Sequence, residues 1–156
     1  MSGPAAFTIG RCSDGNRLGD ILAVVHAAFS GFQPPSSVLA ETITDMEARL
    51  RAGPIMIAQS ADDIVGSVFC AHDGDALYLT RLATLPAWRK RGVGTALIAA
   101  AEREARGLGA SQLTLRVRTN LPDNRRYFEQ AGFVVTGQGQ DHGRPPYFAM
   151  QRDLTA

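Results

Sequence analysis

"RLATLPAWRKRGVGTALIAAAEREARGLGA", residues 81–110, passes from a strand-like segment through two glycines into a helix. Arg89, Lys90 and Arg91 stand directly before Gly92 and Gly94 at that junction. A helix N-terminus carries unpaired backbone N–H groups and a partial positive charge, so it binds anionic oxygens. Glycine lets the backbone approach a phosphate closely and adopt φ > 0. Three cations beside such a turn make a concentrated polyanion site. Two familiar phosphate loops are excluded: Gly94 is followed by Thr95 and Ala96, not by the Lys and Ser/Thr of a P-loop, and Leu97 stands where the dinucleotide fingerprint has its third glycine. Beyond the glycines, Ala96, Leu97, Ala100, Ala101, Ala105 and Leu108 form an apolar stripe at helical spacing, and Gly107 and Gly109 mark its end.

Outward from this helix the pattern resolves into short elements. On its C-terminal side, "SQLTLRVR" (111–118) alternates, with Leu113, Leu115 and Val117 on one face, which predicts a strand. "LPDNRRYFEQAGF" (121–133) places Pro122 at a first helical position and Gly132 as a stop, and "FVVTG" (133–137) and "PYFAMQRDL" (146–154) read as strands. On its N-terminal side, "FTIGR" (7–11) reads as a strand and "ILAVVHAAF" (21–29) as a helix. After the turn-forming "SGFQPPSS" (30–37), Ser36 or Ser37 offers an N-cap for a helix with Leu39, Ile43, Met46 and Leu50 on one face, stopped by Gly53 and Pro54. "IMIAQ" and "IVGSVFCAH" flank turn residues 61–63 as a hairpin, and a second turn at 73–75 leads into "ALYLTRLAT". The predicted order is βααβββαβαββ, an α/β domain spanning 1–156 without repeats or linkers.

Composition limits what this domain does. The chain has 156 residues and 45% hydrophobic content, enough to bury a core. With 16 Lys+Arg against 15 Asp+Glu the net charge is +1, which argues against a nucleic-acid partner and makes any electrostatic function local. The longest apolar run is far short of the ~20 residues of a membrane span, and no signal-peptide pattern is present, so the expected location is cytoplasmic with no membrane partner. Cys12 and Cys70 are far apart and lack metal-ligand spacing, so they read as reduced thiols, and no metal is expected. A homodimer is compatible with these features.

Arg89-Lys90-Arg91-Gly92-Val93-Gly94 fits the Arg/Gln-x-x-Gly-x-Gly/Ala pattern of the GNAT acyltransferase superfamily, in the same place between a strand and a helix. "NLPDNRRYFEQAGF" resembles that family's Asn-containing segment ending in Gly-Phe, and the element order is similar over residues 7–154. With "HGRPPYFAM" it is similar to a bacterial group of GNAT proteins of undefined acceptor. The resemblance implies the GNAT fold: a mixed, mostly antiparallel sheet flanked by helices, with a V-shaped gap between strands 4 and 5. It implies acetyl-CoA as cosubstrate. The amides of Arg91, Gly92, Val93, Gly94 and Thr95 would then cradle the pyrophosphate, and Arg89 and Lys90 would neutralise its charge. Leu82, Ala83 and Thr84 match the family segment whose main chain pairs with the pantetheine arm, and an N–H near Leu82 would face the thioester carbonyl. Asn120 or Asn124 would bind the pantetheine amides, with Asn124 favoured by its place at the start of its helix. A helix cap is the competing role for Asn124.

The implied reaction is direct attack of an amine on the thioester. An alkylamine of pKa ~10.4 is neutral in only about one molecule per thousand near pH ~7.4, so deprotonation accounts for roughly 4 kcal/mol of the barrier. Glu41 and His142 are the candidate bases. Many relatives place a tyrosine general acid five residues before the Phe of Gly-Phe, where this chain has Phe128. Tyr127 lies about 100° around the helix, toward the core if Phe128 faces the sulfur. In the family, the first two helices, their loop and the last hairpin wall the acceptor; here these are "FSGFQPPSS", Tyr78, Arg81, His142 and Tyr147. Arg81 suits either an acceptor carboxylate or a cross-strand ion pair. The expected function is N-acetylation of a small or amino-acid-like amine, with a protein amine second and a silent acyl-CoA sensor as the alternative class.

Overall fold

The structure, a computed structural model, describes residues 6–13 and 15–154, so the ends of the 1–156 span lie outside it. Seven strands form one sheet: β1 (Thr8–Arg11), β2 (Ile55–Ser60), β3 (Asp63–Asp73), β4 (Ala76–Thr84), β5 (Gln112–Arg118), β6 (Val134–Gly139) and β7 (Tyr147–Asp153). Four helices flank it: α1 (Leu18–Phe29), α2 (Ile43–Ala52), α3 (Val93–Gly107) and α4 (Pro122–Gln130). The chain order is the expected βααβββαβαββ, and the spatial order is β1-β2-β3-β4-β5-β7-β6. Every neighbouring pair is antiparallel except β4 and β5, which run parallel.

Alternation along each strand builds two cores. On one face, Leu113, Leu115 and Val117 of β5 join Leu77 and Leu79 of β4 and Val93, Leu97, Ile98 and Ala101 of α3. On the other, Ile21, Val24 and Val25 of α1 and Met46 of α2 pack with Ile57, Phe69 and Ala83. Burial on both faces makes β3 nearly continuous in apolar residues, with Ile64 to Cys70 all buried.

Two irregularities in β4 position everything that follows. Pairing with β5 covers only Ala76–Gln112, Leu77–Leu113 and Tyr78–Thr114, and beyond these the strands diverge into the expected V-shaped gap. On its other edge, β4 pairs Thr80 with Phe69 and Ala83 with Ser67, so Arg81 and Leu82 together oppose Val68. This is a β-bulge, and Arg81 adopts φ 52, a left-handed conformation that a non-glycine residue holds only where its surroundings enforce it.

The second helix differs from the sequence reading. Ser36 caps a single 3₁₀ turn, Ser37–Ala40, and α2 starts only at Ile43. Thr42 is its N-cap, in a reciprocal capping box with Asp45. Leu39 therefore lies outside the helix and is exposed. Leu108 likewise follows the end of α3 and is exposed, outside the buried stripe. The β2–β3 turn is tighter than expected: Asp63 already belongs to β3, and Ala61 takes the left-handed position.

Candidate functional site

Residues 89–95, where the sequence predicts an anion site, form a tight turn into a helix start. Lys90 (φ 63) and Gly92 (φ 82) both turn left-handed, and α3 begins at Val93 without a side-chain cap. The Ala96 N–H bonds to the Gly92 carbonyl at 3.0 Å, so the N–H groups of Val93, Gly94 and Thr95 precede the first intrahelical bond of that kind. Gly92 has open space where a side chain would begin, so its glycine is required by the backbone turn. Arg91 stacks its guanidinium on the Trp88 ring at 4.9 Å, while Arg89 and Lys90 line the groove that opens here.

That groove has a volume of about 1000 Å³. It is walled by Leu79 to Leu82 and Thr84 of β4, by Leu115 to Arg118 of β5, and by Gly92 to Thr95 at the start of α3, so it follows the gap between the splayed strands. Phe29, Phe32 and Ser36 line its far side, from α1 and the loop after it. Ala83, expected along the same strand, is buried in the α1 core.

From α4 the groove receives Asn124, Tyr127 and Phe128. Asn124 is exposed and caps nothing: Leu121 is the N-cap, with no side-chain hydrogen bond. Asn120 instead donates from Nδ2 to the Gln33 carbonyl at 3.0 Å and so holds the α1–α2 loop. Tyr127, 38% exposed, does not turn into the core; its hydroxyl lies 2.6 Å from where a Cβ on Gly94 would be. Phe128 is the ring of the pair that packs on the core, against Phe133 at 5.8 Å, while keeping an edge on the groove.

On the acceptor side the two candidate bases part ways. Glu41 is 11% exposed and accepts from Arg81 Nε at 2.5 Å and from Arg49 Nη2 at 2.8 Å, with one oxygen given to each guanidinium. The contact that fixes the bulged Arg81 is therefore this ion pair, formed with the segment before α2 and not across strands. Burial pulls the Arg81 guanidinium below its ordinary pKa, against the Glu41 hydrogen bond, which raises it. His142 is exposed in the β6–β7 loop and is not among the groove's lining residues. Tyr78 lines the groove floor, and burial pushes its phenol up, with Arg116 opposing. Arg116 and Arg118, which alternate with Leu115 and Val117 along β5, are not among the residues singled out from the sequence, yet both line the groove; the available signal was two arginines alternating on the strand beside the gap.

Cys12 and Cys70 are buried and neither lines the groove. Among the described residues, no group of three or more His, Cys, Asp or Glu is placed to hold a metal ion. No helix of the described residues is long and apolar enough to cross a membrane.

Two splayed strands beside a glycine-led helix are the arrangement that the resemblance implied, and comparison of the sequence with protein families gives a match over residues 21–133 to the acetyltransferase (GNAT) family. The chain belongs to the GNAT acetyltransferase family. Comparison with curated proteins finds no significant match. Solved GNAT structures superpose over nearly the whole chain. The ribosomal-protein-S18-alanine N-acetyltransferase of Escherichia coli is 18% identical with a TM-score of 0.79, covering 97% of this chain and 96% of its own. The PaiA N-acetyltransferase of Thermoplasma acidophilum, solved with coenzyme A, is 15% identical with a TM-score of 0.80, covering 96% and 99%. The yncA protein of Salmonella typhimurium, solved with acetyl-CoA, is 20% identical with a TM-score of 0.73, covering 97% and 95%. At these identities the likeness concerns the GNAT fold.

Proposed function

We propose that the protein is an acetyl-CoA-dependent N-acetyltransferase that moves an acetyl group directly to the primary amine of a small or amino-acid-like acceptor. One observation carries this: the unpaired N–H groups at the start of α3 open onto a groove that runs along the splayed β4–β5 gap past the bulge. Phosphate oxygens fit the amides of Val93, Gly94 and Thr95, with Arg89 and Lys90 beside them. The pantetheine arm fits along β4, with Asn124 offering its amide from α4. The bulge releases the Leu82 N–H from the regular ladder, where it serves as donor to the thioester carbonyl. CoA bound in other GNAT structures supports the choice of donor.

The amine nitrogen attacks the thioester carbon, the C–N bond forms, and the tetrahedral oxyanion collapses with loss of CoA thiolate. The proton released from nitrogen balances the one the thiolate gains. Glu41 has both oxygens committed to guanidiniums, and Phe128 has no proton to give, so water carries both transfers. Tyr127, with its hydroxyl against Gly94, serves the phosphate end of the groove.

The same two features favour a second reading, a binder of acyl-CoA that transfers nothing. Thiol release from acetyl-CoA across a broad panel of amines separates the two. Amine-dependent release with an N-acetylated product is expected. CoA binding with no release for any amine would leave the sensor reading in its place.

A further inference from the structure

The acceptor end of the groove carries more positive charge than its ion pairs neutralise. Arg49 and Arg81 share the single carboxylate of Glu41. Arg118 and Arg144 pair with no carboxylate among the described residues: Arg118 donates to the Pro34 and Pro35 carbonyls, and Arg144 to Ser37 Oγ at 3.3 Å. Arg116 has Asp141, at a long 3.3 Å and with both side chains about half exposed. A bare cationic amine is repelled from such a place, and an amine that brings its own negative charge is not.

Arg116 is the guanidinium built to receive that charge. Leu115 and Val117 enter the α3 core, so Arg116 projects from the opposite face of β5, where it meets Tyr78, Tyr147 and Asp141. It lies two residues past the last β4–β5 pair, level with Thr80 and just short of the bulge. Its guanidinium is stacked on Tyr147 at 4.4 Å and stands 5.9 Å from the Tyr78 ring centroid. Stacking fixes the plane through its faces and leaves the N–H edges for in-plane acceptors, the geometry that takes a carboxylate in two parallel hydrogen bonds. Asp141 engages one edge, through Nη1, and the side chain lines the groove.

We infer that the acceptor is a small amino acid whose carboxylate docks on Arg116 while its amine faces the thioester at the bulge. This rests on the transferase reading and deepens it. The size limit comes from the walls. Arg118 and Asn120 tie residues 33–35 to the end of β5, and Arg144 ties the β6–β7 loop to Ser37, so hydrogen-bonded bridges cross the acceptor side where a peptide chain would have to run.

The test uses acceptor pairs that differ by the carboxylate alone: alanine with ethylamine, phenylalanine with phenethylamine, tyrosine with tyramine, and γ-aminobutyrate with propylamine. Each is titrated calorimetrically into the CoA-loaded protein and, in parallel, assayed for thiol release from acetyl-CoA. At least one carboxylate-bearing member is expected to bind and turn over ten-fold or more better than its partner. Arg116→Gln is expected to collapse that ratio toward one through KM, and Arg116→Lys, which keeps charge but loses the fork, to fall between. Asp141→Asn frees the competing edge and is expected to lower KM for the carboxylate member; a merely structural ion pair gives the reverse. Carboxylate-selective binding without thiol release would support the docking site and overturn the transferase reading. Turnover of both members alike, or of the bare amine alone, would overturn the docking site and leave the transferase reading standing. Absence of binding by every carboxylate member would overturn it as well.

Discussion

A methyl group on Gly94 would lie within 2.6 Å of the Tyr127 hydroxyl, so the glycine is what lets that phenol reach the α3 N-terminus. Tyr127→Phe is accordingly expected to raise KM for acetyl-CoA several-fold and change kcat only a few-fold; a kcat loss of ~10²-fold or more, the scale of a general acid, would put the phenol at the sulfur instead. Phe128→Tyr sets a phenol of pKa ~10 on the groove wall and is expected to raise kcat, measured under saturating acceptor. Neither cysteine lines the groove, and direct transfer asks nothing of them. Burial pushes the Cys70 thiol from 9.0 up to about 12, with Glu104 adding and Arg11 opposing, so it stays protonated and unreactive. Cys12→Ala with Cys70→Ala should keep acetyl transfer, and an acetyl-cysteine forming at the turnover rate would contradict direct transfer. The same shift carries a stability consequence. The folded thiol holds a proton that the unfolded chain loses first, so its contribution is fully present below pH 9.0 and is lost as pH rises toward 12. Burial of Tyr78 acts in the same direction. Urea unfolding midpoints should fall across that window, less steeply in Cys70→Ala.

Among the elements, β4 carries the most constraint, because its pairing with β5 ends at Tyr78 and its ladder with β3 is interrupted at Arg81 and Leu82, beside the groove. Glu41 holds that bulge through an ion pair whose partners are 11% and 12% exposed. Glu41→Gln leaves two guanidiniums without their counter-charge, and a loss of about 3 kcal/mol in chemical denaturation is expected. Activity would fall too, since the bulge relaxes; unchanged stability would mean that the strand keeps its shape unaided. All eleven strands and α-helices were legible in the sequence, most sharply α3 by its apolar stripe and β5 by strict alternation, and α4 by its boundary residues Pro122 and Gly132. The turn into α3 was legible because its cause, glycines beside a helix start, is local. What escaped was long-range or too short to show a period. Arg81 and Glu41 are 40 residues apart, so nothing near either one announces the pair. The Thr42–Asp45 capping box lies beyond a serine that also suits a cap, and the 3₁₀ turn between them, Ser37–Ala40, is only four residues long, too few to repeat a helical period. The faces taken by Tyr127 and Phe128 depend on the α3 surface they meet, which α4's own sequence does not contain.

At the scale of the whole molecule, the two cores lie on opposite faces of one sheet, and the groove along the β4–β5 gap is lined both by the start of α3 and by the end of α1 and the loop after it. A ligand that binds only the folded state stabilises it by mass action, so acetyl-CoA at ~100 times its Kd should stabilise the protein by about 2.7 kcal/mol. The most direct measurement is a calorimetric titration of CoA into the wild-type protein and into Gly92→Glu. The variant places a carboxylate at the α3 amides, where it repels phosphate, and the open space around Gly92 limits its folding cost to the strain of φ 82, about 1–3 kcal/mol. Saturable binding by the wild type and its loss in a variant that still unfolds cooperatively is the expected result; equal affinity in the two proteins would contradict the phosphate cradle at α3.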